Sequence, residues 1–270
     1  MSISRRAAIS LASAFAVSTV ETNLASAMQR GSVPQPRIHM PGQSAQRFLV
    51  QLIHHDEAGH QPHKAILSIA SPDTAWFAKD TMDETTYRMT NHSYRMRGWR
   101  LKRVSVFKTG RGPCFSAIWQ LASGPEWHTR HGMSQADFDA ANKDYAARGM
   151  RLVHLDARSH YAAIWERGDA STQQVFSSLS TADYDRTSAE LAGQGYRPMR
   201  LSLRAEGAAP RLAAIFEKAS GVEWQARHSM NGSDLHRAEI QANANGLRMI
   251  DAAGHMVGGK PVFTGVWQKA

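Results

Sequence analysis

The chain repeats itself, and repetition at a fixed interval constrains a fold more tightly than any single motif. Four apolar residues, Met82, Met133, Leu179 and Met230, are each followed sixteen positions later by a glycine: Gly98, Gly149, Gly195 and Gly246. The steps between those glycines are 51, 46 and 51 residues. A bulky aromatic follows each one, Trp119, Trp165, Phe216 and Trp267, after 21 residues in three units and 16 in the second. A constant offset with length variation confined to one place indicates one supersecondary unit copied in tandem. Its core then grows unit by unit, as each neighbour covers the last.

Each unit opens with a helix start. Asp83, Ser134, Ser180 and Asn231 stand three residues before Thr86, Asp137, Asp183 and Asp234. Such side chains accept from a free first-turn amide, and the acid complements the positive helix end. Anchor pairs seven apart (Tyr87 and Tyr94, Phe138 and Tyr145, Tyr184 and Leu191, Leu235 and Ala242) place two turns on one buried face. The glycine that follows suits the left-handed position after a helix. Past it the period becomes two, as in Tyr161-Ala162-Ala163-Ile164-Trp165-Glu166, which reads as the second of two strands. Phe48 to Ile53 and Ala65 to Ile69 read as a hairpin without its helix.

The fold expected is α+β, a tandem array of four helix-strand-strand units preceded by a half unit, in one curved or partly closed assembly. The segments expected are an export signal (1–27), a lead-in (28–46), the half unit (47–75) and units at 76–126, 127–172, 173–223 and 224–270. The export signal rests on Arg5-Arg6, an apolar run from Ala7 to Val20 and the small-residue pattern Ala25-Ser26-Ala27. The paired arginines resemble a twin-arginine leader, although Ala8 stands where that motif prefers Phe; an ordinary secretory signal is the alternative. No other segment approaches the roughly 20 apolar residues of a membrane span. The single cysteine, Cys114, excludes an intrachain disulfide and reads as a small buried residue. Formal net charge is +9, and removing Arg5, Arg6 and Glu21 leaves +8, which favours anionic partners.

Three blocks carry a family resemblance: Trp127-His128-Thr129-Arg130-His131-Gly132-Met133-Ser134, Tyr161 to Glu166, and Gly195-Tyr196-Arg197-Pro198. They resemble the bacterial tandem repeat found in front of β-lactamase-like serine hydrolases, and the N-terminal region of polyglycine hydrolases. The resemblance covers Phe48 to Ala270. It implies that catalysis belongs to an attached hydrolase domain with a Ser-x-x-Lys nucleophile, and that this chain carries the repeats without that domain.

Two groups of side chains are candidates for a site. His54, His55, His60 and His63, with Asp56 and Glu57, crowd imidazoles and carboxylates that suit Zn²⁺ or Cu²⁺, at a spacing matching no established structural site. Arg130-His131 and Arg227-His228 recur before a helix cap. They read either as a repeated anion-binding corner or as packing between units, and recurrence favours packing. Trp119, Trp165 and Trp267 read as core in preference to a sugar-stacking platform.

The leading expectation is an exported, non-catalytic recognition or scaffold protein, with no cofactor. Its partners would be an anionic cell-envelope polymer, a peptide or a partner protein. Nucleic acid ranks lower, because export removes the usual partner. The alternative is a hydrolase with a site at unit junctions, using His54, His55 and His63 with a metal.

Overall fold

A computed structural model describes residues 47–53, 64–69, 75–109, 112–219 and 221–269. The expected lead-in and the stretch from His54 to His63 lie outside them. The first two strands, β1 (Arg47–Ile53) and β2 (Lys64–Ile69), pair antiparallel as the expected hairpin. Four complete units follow. The first is β3 (Trp76–Met82), α1 (Glu84–Met96), β4 (Trp99–Thr109) and β5 (Gly112–Leu121). The second is β6 (Trp127–Met133), α2 (Gln135–Ala147), β7 (Met150–Asp156) and β8 (Tyr161–Arg167). The third is β9 (Gln173–Leu179), α3 (Thr181–Gly193), β10 (Tyr196–Glu206) and β11 (Ala209–Lys218). The fourth is β12 (Trp224–Met230), α4 (Gly232–Ala244), β13 (Leu247–Val257) and β14 (Lys260–Lys269).

Each unit is therefore strand-helix-strand-strand. The expected helix-strand-strand unit lacked its leading strand. That strand crosses the helix to pair with the last one, giving the three-stranded antiparallel orders β3-β5-β4, β6-β8-β7, β9-β11-β10 and β12-β14-β13. It is an edge strand, and its register against the last strand slips by one residue near its end, as between Arg130 and Met133. Thr81, Gly132 and Ser229 take positive φ in three of these bulges. An extra residue there destroys the two-residue alternation by which a strand is recognised.

Local signals elsewhere form as their chemistry dictates. Asp83, Ser134, Ser180 and Asn231 cap the four helices by accepting from Thr86, Asp137, Asp183 and Asp234 amides. Gly98, Gly149, Gly195 and Gly246 sit at φ of 81°, 73°, 81° and 75° just past each helix, where a β-carbon costs about 1 kcal/mol. The recurring aromatics Trp119, Trp165, Phe216 and Trp267 are fully buried. Each tryptophan donates its indole N–H to an acceptor on its own helix, seven residues before the glycine: Asn91 (3.0 Å), Asn142 (3.0 Å) and Glu239. In the third unit the aromatic is Phe216, and Ser188 occupies that helix position.

The last strand of each unit is buried on both faces, which explains its unbroken apolar run. Ala163 and Trp165 face the second unit's own helix, while Ala162 and Ile164 complete the core of the first unit. In the same way Ala213 and Ile215 complete the second core, and Val266 completes the third. Polar contacts repeat the interlock. Arg100 reaches Glu166 of the next unit at 3.0 Å, Arg151 reaches Glu217, and Arg197 reaches Gln268.

Five residues past each glycine lie Arg103, His154, Arg200 and Asp251. Each follows a one-residue bulge in the strand that comes after the helix of its unit, and a bulge re-aims the next side chain. The four converge on one another's backbones. His154 Nε2 lies 2.7 Å from the Val104 carbonyl, and Arg200 Nε donates to the Val153 carbonyl at 3.2 Å. Asp251 accepts from the Leu201 amide at 2.9 Å, and Arg103 donates to the Ile250 carbonyl at 3.1 Å. Arg103 and Arg200 both lie within 4 Å of Asp251, at 3.8 and 3.9 Å. First and fourth units therefore meet at this hub. The β1–β2 hairpin lies against β13 on one side and β4 and β5 on the other, so the array closes into a ring.

Candidate functional site: the groove between the first two units

Charge is distributed unevenly round this ring. Residues 76–126 hold nine basic and four acidic side chains, whereas residues 127–223 hold twelve of each. The first unit thus carries most of the excess. On α1, Arg88, Asn91, His92 and Arg95 fall at the i, i+3, i+4, i+7 spacing that builds one helix face. That face borders a groove of about 280 Å³, closed on the far side by Thr129 and His131 of β6 and floored by Tyr87. A second cleft, of about 500 Å³, shares Arg95 and continues past Trp99, Arg100 and Trp127. The Arg95 guanidinium lies 4.7 Å over the Trp127 ring, which holds it at the mouth of both.

His131 stands edge-on to Tyr87 (5.3 Å) and Phe115 (5.0 Å). Among the described residues, neither of its ring nitrogens has a hydrogen-bond partner. Burial pushes its pKa below the usual imidazole value; Glu84 opposes that shift and Arg88 reinforces it. Arg88 is largely exposed and pairs with Glu84 at the rim, 3.7 Å away. The arrangement has the donors to hold an anion: a neutral imidazole with free nitrogens beside two guanidiniums.

The expected Arg-His pairs split across two units. His131 and His228 turn back onto the helix of the preceding unit, His228 lying edge-on to Tyr184 at 5.4 Å. Arg227 instead bonds Gln241 on its own helix at 3.2 Å, while the Asp137 carboxyl is held below its usual pKa by hydrogen bonds from Ser134, with a smaller contribution from exposed Arg130. Nor are the first-turn amides open to a ligand in the way an anion corner needs. Ser134 and Asp137, and Asn231 and Asp234, satisfy each other in capping boxes. Trp127 is buried in the core of the first unit, as a staple between units should be.

Other expectations are placed as follows. His54, His55, His60 and His63 lie outside the described residues. Among those described, no cluster of His, Cys, Asp and Glu converges as a metal site, and no helix is long and apolar enough to cross a membrane. Cys114 is buried. The sequence does contain one Ser-x-x-Lys spacing, Ser105-Val106-Phe107-Lys108, which lies in β4. A strand sets positions three apart on opposite faces, whereas that nucleophile pair needs the single-turn spacing of a helix. No one residue type is common to all four hub positions, Arg103, His154, Arg200 and Asp251. Their signal in the sequence is a polar residue at a fixed offset within an apolar strand.

The family model described as "Polyglycine hydrolase-like, structural repeat" matches residues 73–121, 124–168, 173–219 and 221–270, and the chain belongs to that family. No curated protein matches it.

Proposed function

We propose that this tandem member of the polyglycine hydrolase-like structural-repeat family is a non-catalytic recognition module that binds an anionic polymer outside the cytoplasm. Binding takes place at the junction of its first two units. The observation that carries the reading is the concentration of positive charge there: the five-charge excess of residues 76–126, with Arg88, His92 and Arg95 on one face of α1 beside His131. A charged cleft with low-dielectric walls concentrates counter-ions. The interlocked ring supports the role of a rigid scaffold, since the cores of the first three units are each completed by the unit that follows. Export rests on Arg5-Arg6, the apolar run and Ala25-Ser26-Ala27, and sets the mature start at Met28.

Retention on purified peptidoglycan or an immobilised acidic polysaccharide, at two salt concentrations, tests the reading. Screening acts over about 8 Å at 0.15 M ionic strength, so retention should fall steadily as salt rises. Reversing Arg88 to Glu should weaken it further, while Arg227→Ala, at a position engaged with Gln241, should not. Salt-insensitive retention would contradict the proposal. Mass spectrometry of the exported protein checks the start, and an intact Met1 in the exported fraction would refute cleavage.

A further inference from the structure

The ring contains two equivalent junctions that differ in the groups offered to the histidine, His228 Nδ1 also lying 2.9 Å from Ser229 Oγ where the first junction has Gly132. His131 and His228 occupy equivalent positions, two residues before Met133 and Met230, and stand edge-on to the equivalent tyrosines Tyr87 and Tyr184. At the later junction His228 Nε2 lies 2.9 Å from a carboxylate oxygen of Asp185, on the helix of the preceding unit. Asp185 lies ten residues before Gly195. Ten residues before Gly98 stands Arg88. The first junction therefore presents the same imidazole, in the same setting, with a cation where the other has its carboxylate. His92 and Arg95 add donors on the same face, where the later helix has Ala189 and Ala192. Glu84 acts on His131 through its charge, but it engages Arg88 at the rim and does not hydrogen-bond His131. The middle junction offers no such place, because Ser177 replaces the histidine and hydrogen-bonds Gln135.

We propose that His131, Arg88, His92 and Arg95 form a receptor for a carboxylate of an acidic peptide, which takes on His131 the place that Asp185 holds on His228. The inference rests on the anionic-ligand reading above and narrows it. The internal occupant is itself a peptide carboxylate, which is why a peptide is assigned here. A groove of about 280 Å³ admits one or two side chains at a time. Bound carboxylate stabilises the protonated ring, so His131 should titrate at higher pH in the complex.

The test exchanges the two helix positions in the full chain. Both are solvent-exposed, with side chains 72% and 66% accessible, so neither exchange disturbs a core. Isothermal titration uses capped hexaglutamate and capped hexaglutamine as probes. Wild type should bind one hexaglutamate and no hexaglutamine. Arg88→Asp, which supplies His131 with an internal carboxylate, should weaken hexaglutamate at least about tenfold, the scale of a charge-assisted hydrogen bond. Asp185→Arg, combined with Ala189→His and Ala192→Arg at the exposed positions equivalent to His92 and Arg95, should raise the stoichiometry from one peptide to two. The His131 ring resonances should report the upward shift in wild type and lose it in Arg88→Asp. Unchanged affinity in Arg88→Asp would overturn the receptor while leaving polymer binding standing. Retention on acidic polysaccharide without hexaglutamate binding would overturn the peptide assignment. Failure to bind either would overturn the broader reading with it.

Discussion

Acid should loosen this ring through one residue, His154. Its side chain is buried in the hub between Val104 and the bulge of its own strand, and burial depresses its pKa to about 3, with Arg103 adding to the effect. The unfolded chain binds that proton at about 6.5. The unfolded state therefore takes up more protons at every pH between those values, and stability falls as pH falls. At 1.36 kcal/mol per pKa unit, the loss relative to neutral pH is about 2 kcal/mol by pH 5 and about 3 kcal/mol by pH 4. That is a large share of the 5–15 kcal/mol typical of a folded domain. Asp251 works the other way, since burial raises its carboxyl pKa and protonation at low pH favours the fold. Asp156, held low by its ion pair with Arg158 although burial opposes this, matters only below the ordinary carboxylate range. Comparing wild type with His154→Gln cancels both carboxylates, because the variant lacks only the titrating imidazole. Urea melts from pH 8 to 4 should show the gap between the two proteins changing by about 3 kcal/mol in favour of the variant. Parallel curves would mean that His154 is charged or solvated in the fold, and the hub argument would fail.

Trp165→Ala should cost about 3–5 kcal/mol, because the ring is fully buried, stacks on Tyr145 at 4.4 Å and bonds Asn142; thermal melts check it. Asn142→Leu should cost about 1–3 kcal/mol by orphaning that indole N–H, whereas Asn142→Leu with Trp165→Phe should recover part of the loss. Arg100→Ala leaves Glu166 without its principal partner at the first junction, with both side chains mostly buried. About 2–4 kcal/mol should be lost, and a double-mutant cycle with Glu166→Gln should show strong coupling. Gly149→Ala should cost about 1 kcal/mol from its φ of 73°, read as a lower melting temperature without loss of helix signal.

What was legible in the sequence was local. The caps, the glycines and the paired helix anchors depend on residues within a turn or two of each other, so each announces itself. The recurring aromatics were legible because every unit needs the same large side chain in the same place. The leading strands escaped because the bulge at Arg130-His131-Gly132 breaks alternation and the segment pairs with a strand about thirty residues away. The hub escaped because its four positions hold Arg, His, Arg and Asp; equivalent places in the ring meet one another, so they need complementary side chains, not identical ones. The arginine stitch was open to view, since Arg100, Arg151, Arg197 and Arg248 all lie two residues past a glycine. For the first three the partners lie in the next unit and become apparent only once neighbours are aligned, whereas Arg248, in the last unit, bonds Asn243 and the Leu247 carbonyl. His131 and His228 both face the helix of the preceding unit, whereas their flanking arginines serve different surfaces. The contrast between Arg88 and Asp185 acquires meaning only when each helix is set against the strand that follows it.

Hydrogen exchange with and without poly-L-glutamate tests the central claim most directly, because it locates the ligand on the ring. The account predicts added protection confined to α1 and β6, with α3 and β12 unchanged. Protection centred on α3 and β12, or none in conditions where the polymer binds, would contradict it.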